Sequence, residues 1–404
     1  MTSESQTTAN EETSVGEHTK NDTVIIDDAG SDGEPSQDGK IYVGNLINDR
    51  LQNDCFCNSA VHNLANCPEL RDYIMNLSSQ ELKKKPVSKV LQKIFSKMRT
   101  NIQVTDPELT DTFQLRKQFS DFNDGQQHDA IGYILEIVNK LVTEEDHKDG
   151  NEHIVASKDG NTNENDVYDQ VVGGSSIKKL FTWLTEEKFH CDNKDCETPN
   201  FSIFDAPYPY LQVPITKTKT VGGVRVADLE GCISDSFQNP FDPKNVKKCP
   251  NLNCNKEIKT GSKVTIKRAP PIALIKMNRA LLEGRKNNVP IEIMEDFTFG
   301  NESFKIQCIT NHVGGTTNTG HYNCFIRRGK DWILANDKTV RQASIYERQE
   351  YLQYAYGMLY LKQNASSLTM ESEREKVPSN IGNLWDSTET RPSTSGIYNS
   401  KDRL

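Results

Sequence analysis

Two clusters far apart in this chain carry the side chains of nucleophilic catalysis. Asn53-Asp54-Cys55-Phe56-Cys57-Asn58-Ser59 offers a thiol where a helix is expected to start, and Gly320-His321-Tyr322, followed by Trp332 and Asn336-Asp337, offers an imidazole and then a side-chain oxygen to orient it. A thiol reacts as its thiolate, and a helix N-terminus lowers the cost of that charge. Asp54 acts against it, because a neighbouring carboxylate favours the neutral thiol. His321 would supply the balancing charge and shuttle the proton, and Asn336 or Asp337 would fix its tautomer. Nucleophile, base and orienter together are the parts of a cysteine hydrolase. A cysteine at a helix start is, taken alone, more often a small buried hydrophobe, so the expectation rests on the set. Cys57, Cys67, Cys308 and Cys324 have no comparable setting and read as core.

A second constellation is Cys191-x4-Cys196 with Cys249-x4-Cys254. Four thiolates at such knuckles suit tetrahedral zinc. Their wide separation argues against a small finger that folds alone and for two hairpin tips brought together by a sheet. Cys232 lies between the pairs and reads as structural, and His190 is the weaker candidate ligand beside Cys191.

The elements that must position these groups are partly legible. Val61, Leu64 and Ala65 after the thiol fit one helical face, and Ile131, Ile134, Leu135, Val138 and Leu141 predict a helix over 127–141. Phe304, Ile306 and Cys308 alternate with Lys305 and Gln307 as in a strand, and a Gly/Thr/Asn loop over 314–320 leads into a second strand over 321–328. Segments 272–277 and 354–361 read as buried strands. Helices first and strands later predict an α+β fold. His321 on a strand after a glycine-rich loop leaves room for an extended peptide beside it.

Composition bounds the rest. The 404 residues are 35% hydrophobic with a net charge of -9 and a mean hydropathy of -0.68, which fits a folded core with polar tails. Residues 1–40 hold ten acids and two lysines, so the remainder is close to neutral and no basic block points to nucleic acid. Segments 1–40 and 364–404 read as disordered, and 144–176 as a polar surface insertion. No secretory signal and no apolar run of membrane-spanning length is read, so no membrane contact and a reducing compartment, cytoplasm or nucleus or both, are expected.

The motifs resemble those of the ubiquitin-specific proteases. Asn53 to Leu64 (NDCFCNSAVHNL) is similar to the family's Cys box, and Gly320 to Val340 (GHYNCFIRRGKDWILANDKTV) to its His box. Gln127-His128-Asp129-Ala130 resembles its Gln-x-Asp-Ala motif, and Ala355-Tyr356-Gly357-Met358-Leu359-Tyr360 its final strand. The motifs keep family order over 41–363. The resemblance implies a papain-like fold of thumb, palm and zinc-knuckle fingers, with the fingers at about 185–265. It implies Cys55 as nucleophile, His321 as base, Asn336 as the third catalytic position and Asp337 as the acid that follows it. Zinc would be held by Cys191, Cys196, Cys249 and Cys254. The implied reaction is hydrolysis, through a thioester, of the isopeptide or peptide bond after the C-terminal glycine of ubiquitin, with ubiquitin and its conjugates as partners.

Two departures stand out. Arg50 occupies the position, five before the nucleophile, where the family usually has an Asn that stabilises the oxyanion, and Gln52 stands where glycine is common. Asn48 takes the Asn role if Asp49-Arg50 is an insertion. Loss of such a donor costs on the order of 100- to 1000-fold in rate, so a ubiquitin-binding module with impaired catalysis is the alternative expectation. Gly132 replaces a common Glu, with an effect expected on local packing. In the N-terminal tail, Val24-Ile25-Ile26-Asp27-Asp28 resembles a SUMO-interacting motif, which would imply a weak SUMO contact by strand addition.

Overall fold

The structure is a computed structural model. It describes residues 41–48, 53–98, 108–145, 153–156, 163–196, 199–207, 209–238, 247–249, 254, 256–258, 264–299, 302–317 and 319–363. The expectations for both tails, Val24–Asp28, Arg50 and Gln52 lie outside these residues.

The thiol-bearing helix is Cys55–Ala65, and all of its residues are buried. The pattern Val61, Leu64, Ala65 predicts one apolar face, yet the helix is covered all round, because its polar residues find partners inside the protein. Asn63 donates to Ser59 O and to Thr310 Oγ1, both at 2.8 Å. His62 Nδ1 lies 3.0 Å from Asn58 O, and burial lowers its pKa to about 4. Asn66, just beyond the helix, exchanges two bonds with the Tyr42 backbone at 2.8 and 2.9 Å, which pins the entering chain beside the helix.

Helices Pro68–Met75, Pro86–Lys97, Asp111–Arg116, Ala130–Glu144 and Ser176–Phe181 follow. Pro86 opens its helix at a position where a missing N–H costs nothing. The expected helix over 127–141 begins instead at Ala130. Asp129 is its N-cap, accepting from Ile131 N at 2.9 Å and Gly132 N at 3.1 Å, and Gln127 is left in the loop before it. The same helix docks Pro86–Lys97 through Glu144, which accepts from Val87 N and from the Ser88 N–H and hydroxyl.

Behind the helices lies an eight-stranded sheet. Its order is Thr339–Gln342, Asp331–Asn336, His321–Arg328, Glu302–Val313, Ala355–Lys362, Ile272–Asn278 and Tyr210–Pro214, with Asp296–Phe299 also paired to Glu302–Val313. Only the last neighbours in that order run parallel. Alternation splits the strands between two cores. Leu274, Cys308, Cys324, Ile326, Ile333 and Leu359 face the helices, whereas Ala273, Ile275, Phe325, Leu334, Met358 and Tyr360 face the opposite layer, which includes helix Leu229–Gln238. Gly357 lies on the helix side, where an added Cβ would overlap Ile131. The α+β expectation holds: the helices between Cys55 and Phe181 precede the strands of the large sheet, and helices Leu229–Gln238 and Ile345–Tyr351 fall among those strands.

A separate four-stranded sheet runs His153–Ala156, Asn200–Asp205, Leu184–His190, Thr265–Arg268. Helix Glu164–Val172 packs Val167, Tyr168 and Val172 on Leu184 and Phe204. Polar segment 144–176 thus supplies an edge strand and a helix with a buried stripe. Beyond this sheet, Lys247–Lys248 pairs with Glu257–Ile258 in a short hairpin. Among the described residues, no helix is long and apolar enough to cross a membrane.

Candidate active site and cysteine cluster

The helix Cys55–Ala65 and strand His321–Arg328 pack on each other, and their first residues carry the thiol and the imidazole. Cys55 is buried and hydrogen-bonds His321. His321 Nε2 lies 2.6 Å from Asn336 Oδ1 and 3.8 Å from Asp337 Oδ2. With an Asn oxygen as acceptor, Nε2 carries a proton and Nδ1 is left for the thiol. The hydrogen bond to Cys55 is the largest influence on the imidazole; burial opposes it, while Asn336 and the charges of Cys55 and Asp337 reinforce it, and the pKa rises to about 9. The imidazole is therefore a cation at neutral pH.

Asn336 and Asp337 stand where the strand Asp331–Asn336 turns back. Asp337 adopts φ 51, a left-handed conformation that Asp and Asn tolerate better than most residues. Asp337 spends its oxygens on asparagines, accepting from Asn58 Nδ2 at 2.8 Å and Asn48 Nδ2 at 2.9 Å. Asn48 in turn accepts from Asp54 N at 2.8 Å. Asn48 is therefore within the site, and its amide is engaged by Asp337.

Gln127 is the residue whose role sequence reasoning missed, although it sits within a quoted motif. Its Nε2 lies 3.5 Å from Cys55 Sγ and donates to Gly320 O at 2.7 Å, while its Oε1 accepts from Gly320 N at 2.7 Å. This two-way clasp sets the loop before His321 against the loop before the capped helix. Gly320 has to be glycine here, because a Cβ would run into the Val313 carbonyl and the His312 ring. Beside the clasp opens a cleft of about 420 Å³ lined by Gln127, Asp129, Lys276, His312, Tyr322 and Tyr356 among others. Asp129 accepts from Lys276 Nζ at 2.5 Å and Tyr356 OH at 2.7 Å, so one carboxylate caps the helix and braces the cleft floor. Gly132, where a Cβ would make ordinary contact with Asp129, adds no side chain to this arrangement.

The four knuckle cysteines converge at the far end of the smaller sheet. The Sγ atoms of Cys191, Cys196, Cys249 and Cys254 all lie within 4.8 Å of one another, with Cys191–Cys254 at 3.6 Å and Cys196–Cys249 at 3.7 Å. Zn–S bonds of about 2.3 Å in a tetrahedron place sulfurs roughly 3.8 Å apart, so the four fit a metal ion of that kind. Asn193 Nδ2 lies 3.1 Å from Cys254 Sγ and lowers that thiol's pKa, whereas the neighbouring Cys191 thiol is shifted upward. His190 turns away to Asn200 at 2.7 Å and is not in the cluster. Cys232 is buried elsewhere, its sulfur 3.4 Å from both Lys217 N and Lys217 O. Cys57, Cys67, Cys308 and Cys324 are core residues, and burial pushes the Cys57 thiol up to about 12.

The sequence profile of the family described as ubiquitin carboxyl-terminal hydrolase matches residues 46–360. Similar proteins include ubiquitin carboxyl-terminal hydrolase 23 of Arabidopsis thaliana, 22% identical over 62% of this chain and 27% of its own length. Ubiquitin carboxyl-terminal hydrolase 2 of Bos taurus is 24% identical over 82% of this chain and 57% of its own length. The chain thus spans between about a quarter and just over half of these curated relatives. Among solved structures, the SAGA DUB module containing Ubp8 bound to monoubiquitin aligns over 81% of this chain and 70% of that one, with a TM-score of 0.55 and 19% identity. The same module bound to ubiquitin aldehyde aligns over 82% and 72%, again with a TM-score of 0.55 and 19% identity. These likenesses are of fold.

Proposed function

Because the chain belongs to the ubiquitin carboxyl-terminal hydrolase family, its match running over residues 46–360, we propose that it is a thiol-dependent deubiquitinase. The observation that carries the reading is the Cys55–His321–Asn336 alignment, with Nε2 held on Asn336 Oδ1 at 2.6 Å. The substrate's glycine-terminated tail lies extended in the cleft beside Gln127. The Cys55 thiolate attacks the carbonyl carbon of the last glycine, the bond to the leaving amine being the one that breaks. His321 gives its proton to the leaving amine, and a thioester to Cys55 remains. Water, deprotonated by His321, then attacks the thioester; the tail leaves as a carboxylic acid and the thiol is restored. Asn336 holds the imidazole in the tautomer both steps need. Asn48 keeps the role of oxyanion donor through the second N–H of its amide, the first being given to Asp337. Zinc is held by Cys191, Cys196, Cys249 and Cys254 and serves structure, tying the two knuckles into the fingers. The catalytic unit is 41–363.

The test uses ubiquitin carrying a C-terminal electrophile. Wild-type protein is expected to form a covalent adduct that Cys55→Ala does not. Retained ubiquitin binding at micromolar concentration without any adduct would instead establish the impaired binding module, the reading that the engagement of Asn48 by Asp337 favours.

A further inference from the structure

We propose that Arg116 is a positioning residue for the reaction, neutralising Asp54 so that the Cys55 thiolate forms at the helix start although its neighbour in sequence is a carboxylate. This rests on Cys55 being the nucleophile. Arg116 Nη1 lies 2.7 Å from Asp54 Oδ1, and both side chains are buried, with exposures of 0% and 4%. The guanidinium is held from three further directions. Its Nη2 donates to Gln126 O at 3.0 Å, its Nε donates to Phe122 O, and its Cζ lies 5.1 Å from the centroid of the Phe56 ring. Arg116 ends the short helix Asp111–Arg116, so a separate element delivers the charge to the helix start.

The pair is costly to bury, and well-packed apolar residues often serve stability as well or better. Its placement shows another use. An Asp at an N-cap ordinarily accepts from first-turn N–H groups, but Asp54 makes no such side-chain cap bond. Capping would set the carboxylate among the N–H groups that must also stabilise the thiolate. Pairing with Arg116 removes both the competition and most of the repulsion.

Other titratable groups stand around the thiol. His321 and Asp337 face the thiol from the sheet, and their charges already oppose each other. Cys57 on the same helix, Tyr133 on the long helix and Tyr322 beside the base are kept protonated by burial. Behind Arg116 stand Asp124, 3.7 Å from Nη2, and His128, 2.8 Å from Asp124.

The experiment is the pH dependence of iodoacetamide alkylation of the full chain, read by mass spectrometry on the Cys55 peptide, with thermal melts confirming that each variant is folded. Arg116→Gln is expected to raise the alkylation midpoint by about one pH unit, a tenfold loss of rate below it. Arg116→Lys keeps the wild-type midpoint, Asp54→Asn lowers it, and the double variant Asp54→Asn/Arg116→Gln returns close to wild type. An unchanged midpoint in folded Arg116→Gln, or a double variant as high as Arg116→Gln, overturns the proposal. If Arg116→Gln does not fold, Asp54→Asn decides, because an unchanged midpoint there overturns it equally. Alkylation needs no ubiquitin: these midpoints with no turnover of ubiquitin conjugates would sink the hydrolase reading alone. A wild-type Cys55 no more reactive than Cys57 would sink both.

Discussion

At the scale of the residue, the site works by shared charge. His321 is held as a cation by Cys55, Asn336 and Asp337 against the opposing effect of its own burial. A raised imidazole pKa means that the imidazolium persists until pH passes the raised value. Hydrolysis of a ubiquitin conjugate is therefore expected to hold steady toward alkaline pH and to fall through about 9, where the imidazole loses its proton. The check is the pH profile of kcat/KM; a decline beginning at the ordinary imidazole value of 6.5 would contradict the geometry. The neighbouring residues Asn336 and Asp337 divide the labour. Asn336 meets the ring, whereas Asp337 spends its carboxylate on Asn48 and Asn58 and so fastens the turn to the thiol helix. Sequence spacing offers both side chains as orienters of His321. The choice between them depends on the left-handed turn at Asp337, which only the folded hairpin reveals.

At the scale of the element, position is set by where helices begin and how closely they meet the sheet. Asp129 starts the long helix three residues later than its apolar periodicity indicates, and that delay leaves Gln127 in the loop to clasp Gly320. Periodicity reads which face is apolar; it does not read which side chain caps the first turn. The same helix approaches strand Ala355–Lys362 at Gly357, where Ile131 fills the space a side chain would need. Gly357→Ala is expected to overpack this contact and destabilise the protein by about 1–3 kcal/mol. Denaturant unfolding of the variant measures this, and an unchanged midpoint would show that Ile131 gives way freely. The capping bonds on Asp129 sit beside that contact, so hydrolysis is expected to weaken together with stability.

At the scale of the whole molecule, the proposed function gives two constellations different ends, chemistry where the helices meet the large sheet and cross-linking beyond the smaller one. Purified protein is expected to contain about one zinc per chain, and a chelator is expected to expose the segments around Cys191 and Cys249 to protease before the large sheet unfolds. Elemental analysis and timed proteolysis test this; an intact fold without zinc would rule it out. Much of this plan was legible in the chain. Cys55, His321 and the paired knuckles announce themselves by residue type and spacing, and period-2 alternation marks the strands, because these signals are local. Three things were not legible: the burial of the thiol helix on every side, the clasp of Gln127 on Gly320, and the pairing of Asp54 with Arg116. Each joins residues far apart along the chain through hydrogen bonds or charge, and no local pattern records which polar groups will meet once the core has closed. The sequence alone therefore determined which reactive side chains are present. Tertiary structure decided which neighbours make it work, because burial turns an isolated polar side chain into a cost that only a particular partner can offset.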